Sequence, residues 1–232
     1  MTAGVWLEEL TWIEAKARFD ADAVVVIPIG AGSKAHGAHL PLKTDALTAR
    51  ALGQRLIGRL PVVAAPVVGF GYYPAFTSFA GSQHLTADTF KAVMRELIAN
   101  LTAQGVRRIA LINTGVSTEK PLDEVAAETG VLVLHMRHAG QAADHLIEHK
   151  DGGHADERET SVVLALDPRS VRMDKLMPAA DFKESAATGD PTCASAFKGE
   201  RLLAARIDDM VAALMTRWPD LGLPDREHPA RS

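Results

Sequence analysis

The sequence predicts a single-domain α/β fold with a mostly parallel sheet. Three observations lead there. Short β-branched runs alternate with longer stretches of helical periodicity, which implies parallel βαβ units. The chain has 232 residues, enough for one domain that buries about 70% of its unfolded surface. No internal repeat, low-complexity stretch or linker divides residues 1–232, although 219–232 reads as a frayed tail.

Each element follows from a local signal. Thr11 and Glu14 have capping-box spacing, so a short helix is expected from there to about Phe19. Residues 23–29 (AVVVIPI) read as a buried strand despite Pro28 near its end. A glycine-rich stretch, 30–41, leads into a helix over 44–60, where Leu47, Ala51, Leu52, Leu56 and Leu60 lie near a 3.6 period. Residues 61–66 form a second short strand. Residues 67–85 are long, aromatic and irregular, and loops of that length in a compact domain are usually functional. A helix over 86–104 ends at Gly105. Strand 108–113 (RIALIN), a helix over 118–129 closed by Gly130, and strand 131–135 follow. Further helices are expected at about 140–149, 156–166 and 199–218.

Composition narrows the function. With 25 Lys+Arg against 29 Asp+Glu the net charge is −4, which lacks the basic footprint of a nucleic-acid binder. No apolar run approaches the roughly 18–20 residues of a membrane span, and the N-terminus lacks the basic stretch and apolar core of a signal peptide. The expectation is a cytoplasmic protein with a small-molecule substrate and neither nucleic acid nor membrane as partner. Cys193 is the one cysteine, so no internal disulfide and no cysteine-based zinc site can form. Nine histidines are the main chemical resource.

Parallel sheets place their chemistry in loops at the carboxyl ends of strands. The loop over 30–45, GAGSKAHGAHLPLKTD, sets His36, His39 and Asp45 just after a strand. Imidazole with carboxylate suits zinc, manganese or iron, although polar loop residues of no special role would read the same way. The segment 151–161, DGGHADERETS, sets His154 at a helix start. Asp156 and Glu157 there suit the helix dipole. Glu159 directly precedes the apolar run SVVLAL, and a carboxylate that near a core wants a cation or a hydrogen-bond network.

These blocks together resemble the creatininase (creatinine amidohydrolase) family. The stretch His36-Gly37-x-His39-Leu40-Pro41-Leu42-x-Thr44-Asp45 follows the family pattern P-x-G-S-x-E-Q-H-G-P-H-L-P-L-x-T-D. GYYPAFTSFAGSQHLTADTF resembles its second block, and HADERETSVVLALDP resembles H-A-G-E-x-E-T-S-x-x-L-A-L-x-P. The similarity covers roughly residues 7–175. It implies a hydrolase that cleaves C–N bonds in small non-peptide, often cyclic, amides at a paired divalent-metal centre. It also implies a three-layer α/β/α fold and a homo-oligomer, often a hexamer. His36 and Asp45 match metal ligands, Asp45 in the bridging position. Glu159 matches a glutamate that completes one site, and His154 a histidine beside the substrate.

The chain departs from that pattern in a concerted way. The family glutamate of E-Q-H-G falls at Lys34, its Gln or Glu neighbour at Ala35, and the histidine of N-G-H-G at Gly115. Lys34 and Gly115 both concern one metal of the pair, whereas His36, Asp45 and Glu159 keep the ligands of the other. A buried carboxylate needs a partner, so the Lys34 ammonium is expected to replace the second metal and pair with Asp45. The expected centre is then one divalent ion per subunit, zinc by preference with Mn2+ or Fe2+ also suited, held by His36, Asp45 and Glu159 with a position open to water. His154 and Lys34 are the expected catalytic groups, His154 as general acid/base. His39 would orient a ligand from behind. Tyr73 and Ser78, with Tyr72 and Phe79, would wall the pocket. Thr114 and Ser117 of the 113–118 loop, with Asn113 and Thr118, would bind a polar substrate group, though Ser117 or Thr118 could equally cap the following helix. A hydrolase or lyase acting on a keto-cyclitol or sugar-like ring, and a non-catalytic binding protein on a decayed fold, stay open as alternatives.

Overall fold

The structure is a computed structural model that describes residues 4–177 and 181–221. Five strands form one sheet: β1 (Val5–Trp6), β2 (Val24–Ile29), β3 (Val63–Ala64), β4 (Arg108–Asn113) and β5 (Leu132–His135). Their order is β1-β3-β2-β4-β5 and every pairing is parallel. The helices are α1 (Trp12–Asp20), α2 (Thr44–Ile57), α3 (Ala87–Ala103), α4 (Glu119–Thr129), α5 (Glu157–Leu166), α6 (Phe182–Ser185) and α7 (Ala196–Arg217).

The layers follow from the two-residue period of the central strand. Val24 and Val26 of β2 face one core with Leu52 and Leu56 of α2, Val162 of α5 and Leu203 and Met210 of α7. Val25, Ile27 and Ile29 face the other with Phe19, Phe90 and Met94 of α3 and Leu122 and Val125 of α4. Both faces are covered, which explains why the strand reads as a continuous apolar run. α5 and α7 approach closely because Gly199 has no side chain: a Cβ there would stand 2.0 Å from the Ser161 carbonyl oxygen.

The expected capping box starts α1: the Thr11 hydroxyl accepts from the Glu14 amide, and the Glu14 carboxylate accepts from the Thr11 amide. Other boundaries shift. The helix expected to 60 ends at Ile57, and the strand expected over 61–66 pairs only at Val63–Ala64. The helix expected near 140–149 is a 3-10 segment, Gln141–Leu146, entered through Gly140 in the left-handed region. The last helix begins earlier than expected, at Ala196, with Ser195 as its cap. β1 and α6 were not expected. Leu221, placed with the tail, is 5% exposed and packs in the core; residues 222–232 lie outside the described part.

β2 leads to β3 on one side of it, whereas β4 lies on the other side and leads away to β5. The loops leaving β2 and β4 therefore diverge, and such a switch point is where α/β sheets place their sites.

Candidate metal centre

The loop leaving β2 folds back on itself. The Lys34 amide donates to the Leu42 carbonyl at 3.1 Å, and the Ala46 amide to the Ala31 carbonyl at 3.1 Å. The long 67–85 segment braces it from outside: the Gln83 amide donates to the Ser33 carbonyl at 2.9 Å, and the Ser82 hydroxyl accepts from the Ala35 amide at 3.0 Å. Gly37 turns the chain at φ +63, and a Cβ there would stand 2.8 Å from His39 Nδ1, so the glycine serves both backbone sign and space. The result carries Lys34, His36, His39 and Asp45 into the interior; none exceeds 7% exposure.

The Lys34 ammonium lies 2.6 Å from Asp45 Oδ2, as the charge argument expected. The same ammonium sits over the Phe76 ring at 5.0 Å and the Tyr73 ring at 5.9 Å. The other Asp45 oxygen, Oδ1, lies 2.9 Å from His36 Nε2. Burial pushes the Asp45 carboxyl up, but the adjoining Lys34 and His36 outweigh it and hold it well below the usual range.

The second block arrives from α5. Asp156 caps that helix, accepting from the Glu159 amide at 3.0 Å. Ala155 adopts φ +50, unusual for a residue with a Cβ, and its amide donates to Glu159 Oε2. That turn presses the His154 ring against His36, with centroids 4.6 Å apart, and against Phe76, also at 4.6 Å.

Two backbone carbonyls fix the imidazoles. His36 Nδ1 donates to the Lys34 carbonyl at 2.8 Å, and His154 Nε2 donates to the Ala35 carbonyl at 2.8 Å. His154 therefore keeps its proton on Nε2 and a lone pair on Nδ1, the arrangement metal-binding imidazoles commonly have, whereas His36 Nε2 faces the Asp45 carboxylate. Burial, reinforced by the charges of His36 and Lys34, pushes His154 down to about 3, which keeps Nδ1 unprotonated. Burial also pushes the Glu159 carboxyl up, with Asp45 and Asp156 adding to it against the pull of His36 and Lys34.

Donor atoms of His36, His154 and Glu159 all lie within 4.8 Å of one another. His154 Nδ1 is 3.5 Å from Glu159 Oε2. Two donors on one tetrahedral zinc, each about 2.0–2.1 Å from it, stand about 3.3 Å apart, so the His154–Glu159 separation suits one ion, with His36 near enough to close on it. The set shares His36 and Glu159 with the expected ligands and has His154 where Asp45 was expected. Asp45 borders it through His36, while its second oxygen is committed to Lys34.

The remaining expected residues fall at different distances from this cluster. His39 is buried beneath it, with Nε2 2.9 Å from the Thr160 hydroxyl; among the described residues its Nδ1 has no partner. The Tyr73 hydroxyl accepts from the Gly71 amide at 3.0 Å. Ser78 is exposed, and Ser117 is half-buried. The Thr114 hydroxyl turns inward to the Ile29 carbonyl at 3.0 Å. Asn113 is spent closing its own loop: Oδ1 accepts from the Gly115 amide and the Thr118 hydroxyl, and Nδ2 donates to the Gly115 carbonyl. Thr118 stands at the N-cap of α4 without a side-chain cap. Phe182 of α6 was missed; it packs edge-on to Phe76 at 5.5 Å and to the His154 ring at 6.3 Å. Only the Asp181 cap signalled α6.

A sequence model of the creatininase family, described as creatinine amidohydrolase, matches residues 8–214. The chain belongs to the creatininase family. The match runs through α7, well past the 7–175 stretch that carries the recognisable motifs. Creatininase-family members are hydrolases, and this chain is one of them. It is 30% identical over 222 residues to the "Mycofactocin precursor peptide peptidase" of Mycobacterium ulcerans (strain Agy99), covering 84% of this chain and 85% of that one. It is 32% identical to the "Creatinine amidohydrolase" of Pseudomonas putida over 119 residues, 49% of this chain and 45% of that one. Among solved structures, "Creatininase Mn" superimposes with a TM-score of 0.80 at 25% identity, covering 93% of this chain and 99% of that one. A mutant creatininase of "Zn-Zn type" superimposes with a TM-score of 0.77 at 25% identity, covering 92% and 98%. The creatininase fold is thus the α/β architecture expected. No helix among the described residues is long and apolar enough to cross a membrane.

Proposed function

We propose that this creatininase-family hydrolase is metal-dependent and cleaves a C–N bond in a small amide. The observation that carries the reading is the convergence of His36, His154 and Glu159. Three donors, with the outer nitrogen of each imidazole tied to a backbone carbonyl, fit one divalent ion and leave a coordination position open. When bound, such an ion polarises a carbonyl and supplies hydroxide near neutral pH.

The chain's own groups do the rest. His36 is fully buried, the His154 side chain is 11% exposed and that of Glu159 20%, so the donor set runs from a closed floor to a mouth that substrate can reach. Phe76 and Phe182 cover the His154 ring and limit water there. The Lys34 and Ala35 carbonyls hold the two rings in orientation, and an ion at His36 would displace only the contact of Nε2 with Asp45. The aromatic cover of Phe76 and Phe182 over His154 favours a small substrate such as a cyclic amide. The extended match to the M. ulcerans peptidase favours a second reading, a peptide terminus entering the same mouth.

Purified protein is expected to hydrolyse at least one member of a panel of cyclic amides, formamides, short peptides and oxidised inositols. Chelation should abolish that activity, and zinc or manganese should restore it. Hydrolysis unaffected by thorough chelation would exclude the metal reading.

A further inference from the structure

We infer that this centre is built for one ion, with the Lys34 ammonium standing permanently where a second cation would lie against Asp45. The inference rests on the metal reading above and concerns how many ions the site takes. Asp45 Oδ2 faces Lys34 Nζ, and Oδ1 faces His36 Nε2, the nitrogen that would turn to the first ion, so Oδ2 stays committed to the ammonium whether or not that ion is bound. The pair is buried, with side-chain exposures of 7% and 5%, so neither charge is solvated in its partner's absence. The ammonium is held by more than Asp45, since the Lys34 amide is fixed to Leu42 and the Phe76 and Tyr73 faces lie beneath Nζ.

The surroundings of Asp45 offer a second ion little. On the side of the β4 loop, Asp45 shares a small cavity with Gly115, Asn113, Thr118, Gly71 and Tyr73, none of them an acidic or imidazole ligand. Gly115 contributes no donor. Asn113 Oδ1 already accepts two hydrogen bonds, and the Tyr73 hydroxyl accepts the Gly71 amide. Among the described residues, His36, His154 and Glu159 are the one grouping of three metal-type donors. A second divalent ion would have Asp45 alone as its acidic ligand and a fixed ammonium beside it. This differs from the "Zn-Zn type" described for a related creatininase.

The test counts ions. Wild-type protein is loaded with excess ZnCl2 or MnCl2, desalted and analysed for metal, with electron paramagnetic resonance on the manganese form. One ion per chain and an isolated Mn2+ signal are expected. Lys34→Glu combined with Gly115→His should take two ions and show a spin-coupled signal. A new Cβ at position 115 would approach only the Thr118 hydroxyl closely, at 2.9 Å. Lys34→Glu alone is the second variant, expected to bind a second ion at least tenfold more tightly than wild type. Two ions in wild type would overturn the inference and leave the metal reading standing. No ion in folded wild type would overturn both. Folded Lys34→Glu protein that still takes only one ion, with no gain in affinity for a second, would show that Lys34 is not what excludes it and overturn the inference.

Discussion

Replacing Lys34 with methionine is expected to destabilise the metal-free protein by about 3–5 kcal/mol, the range for removing one partner of a buried ion pair. Methionine retains most of the volume, so the loss would come from charge. It would strand the Asp45 carboxylate, which is 4% exposed, with only His36 beside it. The pair Lys16–Asp20 provides the control, at nearly the same separation of 2.6 Å but with side chains 64% and 62% exposed. Lys16→Met should cost less than about 1 kcal/mol, because solvent screens an exposed pair. Urea denaturation of both variants at pH 7 measures the contrast. Removing both charges, as in Lys34→Met with Asp45→Leu, should recover much of the loss, because well-packed apolar residues often replace a buried pair at little cost. Equal effects for Lys34→Met and Lys16→Met would show that the buried pair is not held as the geometry indicates.

Glu159→Gln should remove stoichiometric metal binding. The change takes away an anionic donor, so the affinity loss should exceed the roughly 10–100-fold typical of groups that merely orient a ligand. Hydrolysis should fall in step, and elemental analysis after desalting checks the metal directly. The same assay separates two roles for His154. As a ligand, His154→Ala should lose metal together with Glu159→Gln. As a proton carrier, it should keep metal and lose only turnover. Its Nε2 is already donated to Ala35, which favours the ligand role.

Much of this arrangement was legible in the sequence, and the illegible parts have specific causes. Residues 23–29 and 108–113 could be read as buried strands because both sheet faces are covered, leaving no polar alternation to confuse the run. The Lys34–Asp45 pair could be read because a lysine in place of a glutamate beside a buried carboxylate has few other uses. β1 could not, since Val5 and Trp6 gain strand character only by pairing with Val63 and Ala64. Glu159 was placed by its neighbouring apolar run, but the orientation of His154 was hidden. It depends on the Ala35 carbonyl, 119 positions away, and on the left-handed turn at Ala155. The inward turn of Thr114 was hidden for the same reason, because its acceptor is the end of the neighbouring strand, Ile29. Phe182 belongs to a four-residue helix, too short to show a period.

A one-ion centre with a lysine as its standing second charge makes a definite arrangement of the metal-bound site. A crystal structure of the zinc-loaded protein, with metal located by anomalous scattering, tests it most directly. One peak per chain is expected, touching His36, His154 and Glu159, with Lys34 Nζ still against Asp45 Oδ2. A second peak beside Asp45, with Lys34 displaced, would contradict it.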